Sequence, residues 1–185
     1  MNQEKADFLA ETSKKHRESA PKNLSFAVIT ISTSRYKDSQ ANKLVADESG
    51  DLIVKTLHTS GHTVAMQRLI TDNKNMIQKT IREMLTSPKV DAIITIGGTG
   101  ITPADVTIEA VRPLLEKQLP GFGELFRQLT YQEIGSAALM SRAVGGVAKG
   151  KAIFCLPGSP HAVKLCLEKL ILPETAHIVL HARGK

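Results

Sequence analysis

VDAIITIGGTG, at residues 90–100, is the stretch of this chain that decides its fold. Its first seven residues are the most strand-like run in the sequence, and a continuous apolar run of this kind is typical of a strand buried on both faces. Three glycines stand among the four residues that follow. Glycine allows unusual backbone angles and the close approach of a ligand. The stretch therefore predicts a buried strand that runs directly into a tight, ligand-accessible turn.

Strand and helix patterns alternate on both sides of this run. Further strands are predicted at residues 24–31, 62–70 and 152–156. Helices are predicted at residues 42–59, from Asp72 or Asn73 up to Pro88, at 108–115, 124–132 and 161–170, and from Pro173 onward. Residues 32–40 are expected to form a polar loop and residues 120–123 a turn, while residues 137–147 are ambiguous and partly extended. The alternation predicts an α/β fold, a single domain of three α/β/α layers around a mainly parallel sheet.

The length and composition suit one globular domain. The chain has 185 residues, of which 42% are hydrophobic and 23% charged, and this length can bury a proper core. Trp is absent and aromatic residues make up only 4%, so the core is expected to consist mainly of Ile, Leu, Val and Ala. Residues 1–23 are polar and predict a flexible N-terminal arm, with the α/β domain at residues 24–185.

The charge balance favours anionic ligands. The chain has 24 Lys and Arg residues against 18 Asp and Glu residues, a net charge of +6, and such a surface attracts anions in general. No basic run is interleaved with aromatic side chains, as binding of single-stranded nucleic acid would require. We therefore expect phosphorylated small molecules as ligands and no nucleic acid partner.

The sequence predicts a cytoplasmic protein with no membrane partner. No stretch has the apolar length of a transmembrane helix, and the N-terminal MNQEKADFLAETSKK lacks the apolar region of a secretory signal. Cys155 and Cys166 are the only cysteines, and neither belongs to a CxxC pair. Two such cysteines are expected to be reduced core residues rather than a disulfide.

Three loops leave predicted strands at the carboxyl edge of the sheet, where parallel sheets bind their ligands. They span residues 32–40, 97–107 and 157–161. In the second loop, backbone N–H groups of the glycines can cradle phosphate oxygens, and Asp105 adds a carboxylate. A carboxylate beside bound phosphates usually holds Mg²⁺. The alternative is a plain glycine turn with Asp105 as a helix N-cap, but glycines and acid together favour a binding site.

Two other segments carry weaker signals. Asp72 follows a predicted strand, yet Asp is also a good helix N-cap, and alone it is more often a cap than a ligand. In the loop Pro157-Gly158-Ser159-Pro160, Gly158 and Ser159 offer N–H groups and a hydroxyl at the start of a helix. An ordinary connection between a strand and a helix is an equally good interpretation of that loop.

Some motifs are misleading. Residues 145–151 match the phosphate-loop pattern GxxxxGK, but Ala152 stands where that motif needs Ser or Thr, and a strand rather than a helix is predicted to follow. The pairs His58/His62 and His177/His181 have metal-like spacing, but the first straddles Gly61 and the second lacks the glutamate of HExxH. We expect these histidines to be solvated helix-end residues, and His161 to be a plain residue at a helix start.

Four motifs together resemble one known family. GGTGITPADVTIEA, PGFGELFRQLTYQEIG, SRAVGGV and IFCLPGSPHAV occur in the order seen in the MoaB/Mog family, the molybdopterin-binding domains also found in gephyrin and the plant Cnx proteins. The matches cover roughly residues 26–170 and are most similar to the family branch called molybdenum cofactor biosynthesis protein B. Four linked motifs are a specific signal, unlike any one of them alone.

The resemblance implies an activity and an assembly. It implies molybdenum or tungsten cofactor biosynthesis by a nucleotidyltransferase that converts molybdopterin and Mg-ATP into adenylyl-molybdopterin and pyrophosphate. Mg²⁺ is the implied metal, and ATP and molybdopterin are the implied substrates. A compact α/β/α domain assembled as a homotrimer or homohexamer is implied, with the metal-insertion protein of the pathway as a suggested partner.

The resemblance also implies site residues. Asp72 and Asp105 match the two key acids of the family, which are expected to be catalytic and to hold Mg²⁺. The residues expected to bind the substrates are Ser32, Thr33, Ser34, Gly97, Gly98, Thr99, Gly100, Glu124, Ser141, Pro157, Gly158 and Ser159.

The chain departs from the family pattern at a few positions. Thr71 stands where the family often has Pro, and Ala104 stands where it often has Arg, which removes a candidate phosphate-binding cation. Both acids are present, which keeps catalysis open. Two alternatives share the fold: a non-catalytic molybdopterin-binding or carrier protein of the same pathway, and a scaffold with an empty pocket.

Overall fold

The computed structural model describes residues 20–184. Residues 1–19, which hold most of the predicted N-terminal arm, lie outside the described residues. No helix within the described range is long and apolar enough to cross a membrane.

A six-stranded sheet forms the centre of the molecule, with strand order β2-β1-β3-β6-β5-β4. The strands are β1 (Ser25–Ile31), β2 (Thr63–Ile70), β3 (Ala92–Ile96), β4 (Lys117–Leu119), β5 (Val144–Ala148) and β6 (Lys151–Leu156). β1, β2, β3 and β6 are parallel, while β5 runs antiparallel to both of its neighbours. The predicted mainly parallel sheet is therefore confirmed.

Helices cover both faces of the sheet. They are α1 (Thr33–Gln40), α2 (Glu48–Thr59), α3 (Lys74–Thr86), α4 (Thr107–Val111), α5 (Pro120–Ile134), α6 (Pro160–Cys166) and α7 (Leu172–Ala182). Along β1, Phe26 and Val28 pack with α2, α5, α6 and α7, whereas Ala27 and Ile29 face α3 and α4. Covering both faces explains why β1, β3 and β6 consist of uninterrupted apolar runs. The predicted three-layer architecture is confirmed.

The two cysteines belong to the core, as expected. Cys155 and Cys166 are buried free thiols. Burial raises the pKa of each thiol to about 12, because the interior penalises the thiolate. Neither sulfur is therefore a nucleophile at neutral pH.

The structure corrects two predictions before β2. The helix expected at residues 42–59 begins only at Glu48, because the Asp47 side chain caps it and Asn42 has a positive φ of 55°. Leu44, expected on the apolar face of this helix, is fully exposed. The loop expected at residues 32–40 contains α1, a helix with no buried residue and hence no apolar stripe to reveal it.

Further corrections fall between residues 108 and 171. Pro120, expected in a turn, opens α5, since proline suits the first turn of a helix. The expected helix at residues 108–115 divides into α4 and a 3₁₀ turn that contains Pro113. β4 was not predicted, and the ambiguous residues 137–147 contain part of a 3₁₀ segment, Gly135–Met140, followed by β5. In the segment expected to be helical at 161–170, the α-helix ends at Cys166 and a π-helical turn, Leu167–Ile171, follows it.

Candidate active site

The loops after β1, β2, β3 and β6 meet at the carboxyl edge of the sheet. The strand register aligns Ile31 with Ile70 and Ile96 with Leu156, so these four strands end together. Two backbone hydrogen bonds then join neighbouring loops: Ser32 N–H donates to the Ile70 carbonyl at 2.9 Å and Gly97 N–H to the Leu156 carbonyl at 3.0 Å. The three loops predicted to bind a ligand therefore lie side by side at this edge of the sheet.

Asp72 joins the loop after β2 to the start of α1. Its Oδ2 accepts hydrogen bonds from the backbone N–H and the hydroxyl of Thr33, both at 2.8 Å. The capping duty belongs to Asn73, whose Oδ1 accepts from Met76 N–H at 3.0 Å. The alternative that Asp72 caps α3 is therefore wrong, and its carboxylate serves a contact between loops.

The glycine loop, residues 97–107, packs against Asp72 through the backbone of Gly98. Gly97 and Gly98 have positive φ angles of 92° and 60°, a conformation that favours glycine. A Cβ on Gly97 would collide with the Ile31 carbonyl, and one on Gly98 would lie 2.6 Å from Asp72 Oδ1. Asp72 therefore packs directly against the backbone of Gly98, which only a glycine at that position permits.

Asp105 lies within the glycine loop, toward its other end. Its Oδ2 accepts from the hydroxyl of Thr102 at 2.6 Å and from the Thr102 backbone N–H at 2.9 Å. These bonds, the hydroxyl bond first, lower the pKa of Asp105 against the opposing effect of burial, and the Arg142 charge adds to them. Helix α4 starts after Val106 without a side-chain cap, so the N-cap alternative for Asp105 is wrong.

A cleft of about 480 Å³ lies over this loop. Its floor is the glycine loop with Asp105, and one wall is the 3₁₀ segment with Ile134 and Met140. The predicted site residues that line it are Gly97, Gly98, Thr99, Gly100, Asp105, Ser141, Pro157 and Gly158. Residues from three separate parts of the sequence therefore share one cavity.

Other predicted site residues lie beside the cleft rather than on its surface. Asp72 lies next to Gly98 and is bonded to Thr33. The hydroxyls of Ser32 and Ser34 lie 3.3 Å apart at the start of α1. The hydroxyl of Ser159 accepts from Ala162 N–H at 3.3 Å, which makes it the N-cap of α6. Glu124 lies on the exposed side of α5 and is not among the cleft-lining residues of the described chain.

Two contributors to the site were not predicted. Arg142 donates from Nε to the Thr99 carbonyl at 2.9 Å and from a terminal nitrogen to Glu109 at 2.7 Å. Ser49, at the buried start of α2, donates its hydroxyl to the Gly158 carbonyl at 2.8 Å. Arg142 stood inside the quoted motif SRAVGGV, whereas no local pattern singles out Ser49, which reaches a residue 109 positions away.

The misleading motifs are excluded by geometry. The GxxxxGK match forms the hairpin of β5 and β6, and buried Lys151 donates to the carbonyls of Ser87 and Val90. His161 pairs with Glu133 at 2.6 Å, and His177 bonds His181 at 2.8 Å. His62 differs from expectation: it is half-buried and accepts from Leu24 N–H. Among residues 20–184 no three His, Cys, Asp or Glu side chains form a metal-binding cluster.

Comparisons with known proteins identify the family of this chain. A family model described as a probable molybdopterin binding domain matches residues 27–177. Molybdenum cofactor biosynthesis protein B of Bacillus subtilis is 44% identical over 169 residues, 91% of this chain and 95% of that protein. The probable molybdopterin adenylyltransferase of Methanocaldococcus jannaschii is 44% identical over 162 residues, 88% of this chain and 96% of that protein. A crystal structure of a molybdenum cofactor biosynthesis protein B has a TM-score of 0.82 at 43% identity and covers 90% of this chain and 100% of that chain.

These likenesses extend over nearly the whole described chain and include all four motifs quoted from the sequence. The chain belongs to the MoaB/Mog family of molybdopterin-binding domains.

Proposed function

We propose that the chain is a molybdopterin adenylyltransferase of molybdenum or tungsten cofactor assembly. The observation that carries this proposal is the packing of two carboxylates from different loops, Asp72 on Gly98 and Asp105 beside Gly100, around one glycine loop. A similar chain from Methanocaldococcus jannaschii carries the name probable molybdopterin adenylyltransferase. The cleft offers what such a reaction needs: backbone donors, acids and an apolar wall.

The chemistry of the cleft supports both proposed substrates. Backbone N–H groups of the glycine loop bind phosphate oxygens, because a run of such groups forms an anion-binding nest. The exposed apolar wall of Ile134 and Met140 suits the flat heteroaromatic rings of adenine and pterin. Ser141, on the same side of the cleft, supplies a hydroxyl.

The acids present fit a magnesium ion. Mg²⁺ is usually held by one or two carboxylates together with substrate phosphates and water, so a cluster of three protein ligands is not needed. Asp105 and Asp72 each use Oδ2 for their hydrogen bonds to Thr102 and Thr33. These two residues would hold the ion, directly or through water, and the bound ion would neutralise charge on the phosphates.

The reaction is a displacement at phosphorus. An oxygen of the terminal phosphate of molybdopterin attacks the α-phosphorus of ATP, the bond to the β-phosphate oxygen breaks, and pyrophosphate leaves. The chain contributes mainly by positioning both substrates and by offering fixed donors where charge develops. The lowered pKa of Asp105 keeps that carboxylate ionised at neutral pH.

A non-catalytic molybdopterin carrier is the second candidate. The specific observation in its favour is that Asp72 is not among the residues that line the cleft. Both functions need molybdopterin binding, and only the enzyme releases pyrophosphate.

The deciding experiment measures pyrophosphate release from the purified protein with molybdopterin and Mg-ATP, alongside direct binding of molybdopterin. Release that requires both substrates is the expected result. Binding of molybdopterin without any pyrophosphate release would establish the carrier instead.

Assembly, partners and location complete the proposal. We propose a homotrimer or homohexamer, supported by the exposed apolar side chains of Tyr131 and Leu139, which line a hollow outside the cleft. The metal-insertion protein of the pathway is a proposed partner, since it would receive the product. Two buried free thiols suit the reducing cytoplasm. The arm at residues 1–23 is proposed to be an appendage of the domain at residues 24–185.

A further inference from the structure

The glycine loop lacks a positive charge of its own. Residues 97–107 contain three glycines and an aspartate but neither lysine nor arginine. Asp105 is that aspartate, and Asp72 packs against the loop at Gly98. A nucleotide would bring several further negative charges to the same place, and like charges at close range weaken binding. The proposed Mg²⁺ would offset part of this charge, and a cationic side chain from elsewhere in the chain would offset more of it.

Arg142 is placed to supply that cation. Among residues 20–184, it is the only lysine or arginine that lines the cleft. Its side chain is 33% exposed, so the guanidinium is reachable by a ligand. Arg35, on α1, is engaged with Asp47 at 2.8 Å and is not a cleft-lining residue.

The hydrogen bonds of Arg142 also fix the loop itself. Its Nε–H holds the Thr99 carbonyl, and a terminal nitrogen holds Glu109 on α4. The glycine loop is thereby tied to the segment before β5 and to α4. A guanidinium has five N–H donors in a rigid plane, so these two contacts leave donors for a phosphate.

We propose that Arg142 is the positioning residue of the nucleotide phosphates: it fixes the glycine loop through Thr99 and provides the cation that the loop lacks. This inference rests on the adenylyltransferase proposal and adds to it which residue determines nucleotide affinity. Fixing the loop depends on the planar fork, which lysine cannot reproduce, whereas lysine retains the positive charge.

The chain offers a closely matched control in Arg183. Its Nε donates to the Gly150 carbonyl at 3.2 Å and its terminal nitrogen to Asp91 at 2.5 Å, with 38% of the side chain exposed. This is the same fork between a carbonyl and a carboxylate. It lies at the opposite edge of the sheet, beside the residue that precedes β3.

The test measures binding of Mg-ATP to the full chain by calorimetry for wild type, Arg142→Gln, Arg142→Lys and Arg183→Gln. We expect Arg142→Gln to weaken affinity at least tenfold, Arg142→Lys to fall between it and wild type, and Arg183→Gln to bind like wild type. Melting temperatures of the two glutamine variants should agree, because each variant loses one contact to a carbonyl and one to a carboxylate.

Hydrogen exchange in the ligand-free protein provides a second readout that does not depend on activity. The amides of Gly97 and Thr107 are bonded across the glycine loop, to Leu156 and Gly98. Both should exchange faster in Arg142→Gln and Arg142→Lys than in wild type or Arg183→Gln.

Each outcome is decisive. Wild type that binds no Mg-ATP overturns the adenylyltransferase proposal and this inference with it. Wild type that binds Mg-ATP, with Arg142→Gln within twofold of it, overturns only the role of Arg142. If Arg142→Gln fails to fold, Arg142→Lys decides, and wild-type affinity with unchanged exchange in that variant contradicts the proposal.

Discussion

Asp72 and Asp105 are each held by a threonine, but the two threonines differ in origin. Thr102 is a local partner three residues before Asp105, whereas Thr33 lies 39 positions before Asp72 on another loop. A local partner orients a carboxylate within its own turn, and a distant one also joins two elements. The two acids therefore differ in what their removal would disturb.

Asp72→Asn and Asp105→Asn test the catalytic proposal most directly. Each change keeps the shape of the side chain and removes its charge. Pyrophosphate release should fall by about a hundredfold or more, because metal neutralisation of developing charge is worth several kcal/mol. Molybdopterin binding should persist, since it depends mainly on other loops. Turnover like that of the wild type in either variant removes that residue from the mechanism.

The lowered pKa of Asp105 predicts a pH-dependent stability. A carboxyl whose folded pKa lies below its unfolded value of 3.8 stabilises the fold above that value and loses this effect as the pH falls through the folded pKa. The difference in unfolding free energy between wild type and Asp105→Asn should thus be larger near pH 6 than near pH 3. Urea unfolding at both pH values measures it, and a pH-independent difference would contradict the assignment.

At the scale of the elements, the glycine loop works because a side chain would not fit. In Gly98→Ala the new Cβ would collide with Asp72 and Thr107 at a positive φ of 60°. We expect a loss of about 1–3 kcal/mol in unfolding free energy and a loss of pyrophosphate release. Gly121→Ala is the control, because its Cβ would meet nothing within 4 Å in the first turn of α5. Equal stability of the two variants would show that Gly98 is dispensable.

The hairpin of β5 and β6 has a structural role rather than a role in binding phosphate, and the variant Lys151→Ala tests this. Its ammonium lies near the amino end of β3, bonded to the Ser87 and Val90 carbonyls. Lys151→Ala should cost about 1–3 kcal/mol of stability, because two carbonyls lose their donor, while affinity for ATP stays nearly unchanged. A tenfold loss of ATP binding, about 1.4 kcal/mol, in a variant that remains folded would restore the phosphate-loop interpretation.

At the scale of the whole molecule, one exposed surface carries several large apolar side chains. Tyr131 and Leu139 line a hollow of about 390 Å³ whose surface is almost entirely apolar. It adjoins the cleft, because Ile134 and Met140, on the same helix and 3₁₀ segment, line the cleft wall. Contiguous exposed apolar surface of this kind marks an interface.

The protein should therefore not be a monomer at micromolar concentration. Light scattering is expected to return three or six times the chain mass of 20.1 kDa. Leu139→Asp should lower this mass, whereas Leu44→Asp, at another exposed leucine, in the loop before α2, should not. A wild-type mass near that of one chain would rule the assembly out.

The sequence alone determined the α/β class, the mainly parallel sheet and most strands, because strands buried on both faces need continuous apolar runs such as residues 92–96. It also placed three ligand loops at one edge, since parallel strands end together. It could not reveal α1 or β4. Neither has a buried residue, so no apolar pattern marks them.

Only the tertiary structure decided which residues of the site meet. Asp72 and Asn73 are both good caps in the sequence, and only the contact with Thr33 shows that Asn73 caps while Asp72 turns to the glycine loop. Arg142 and Ser49 reach carbonyls 43 and 109 positions away. Local propensity follows from neighbours along the chain, whereas such contacts depend on how separate loops are brought together by the sheet.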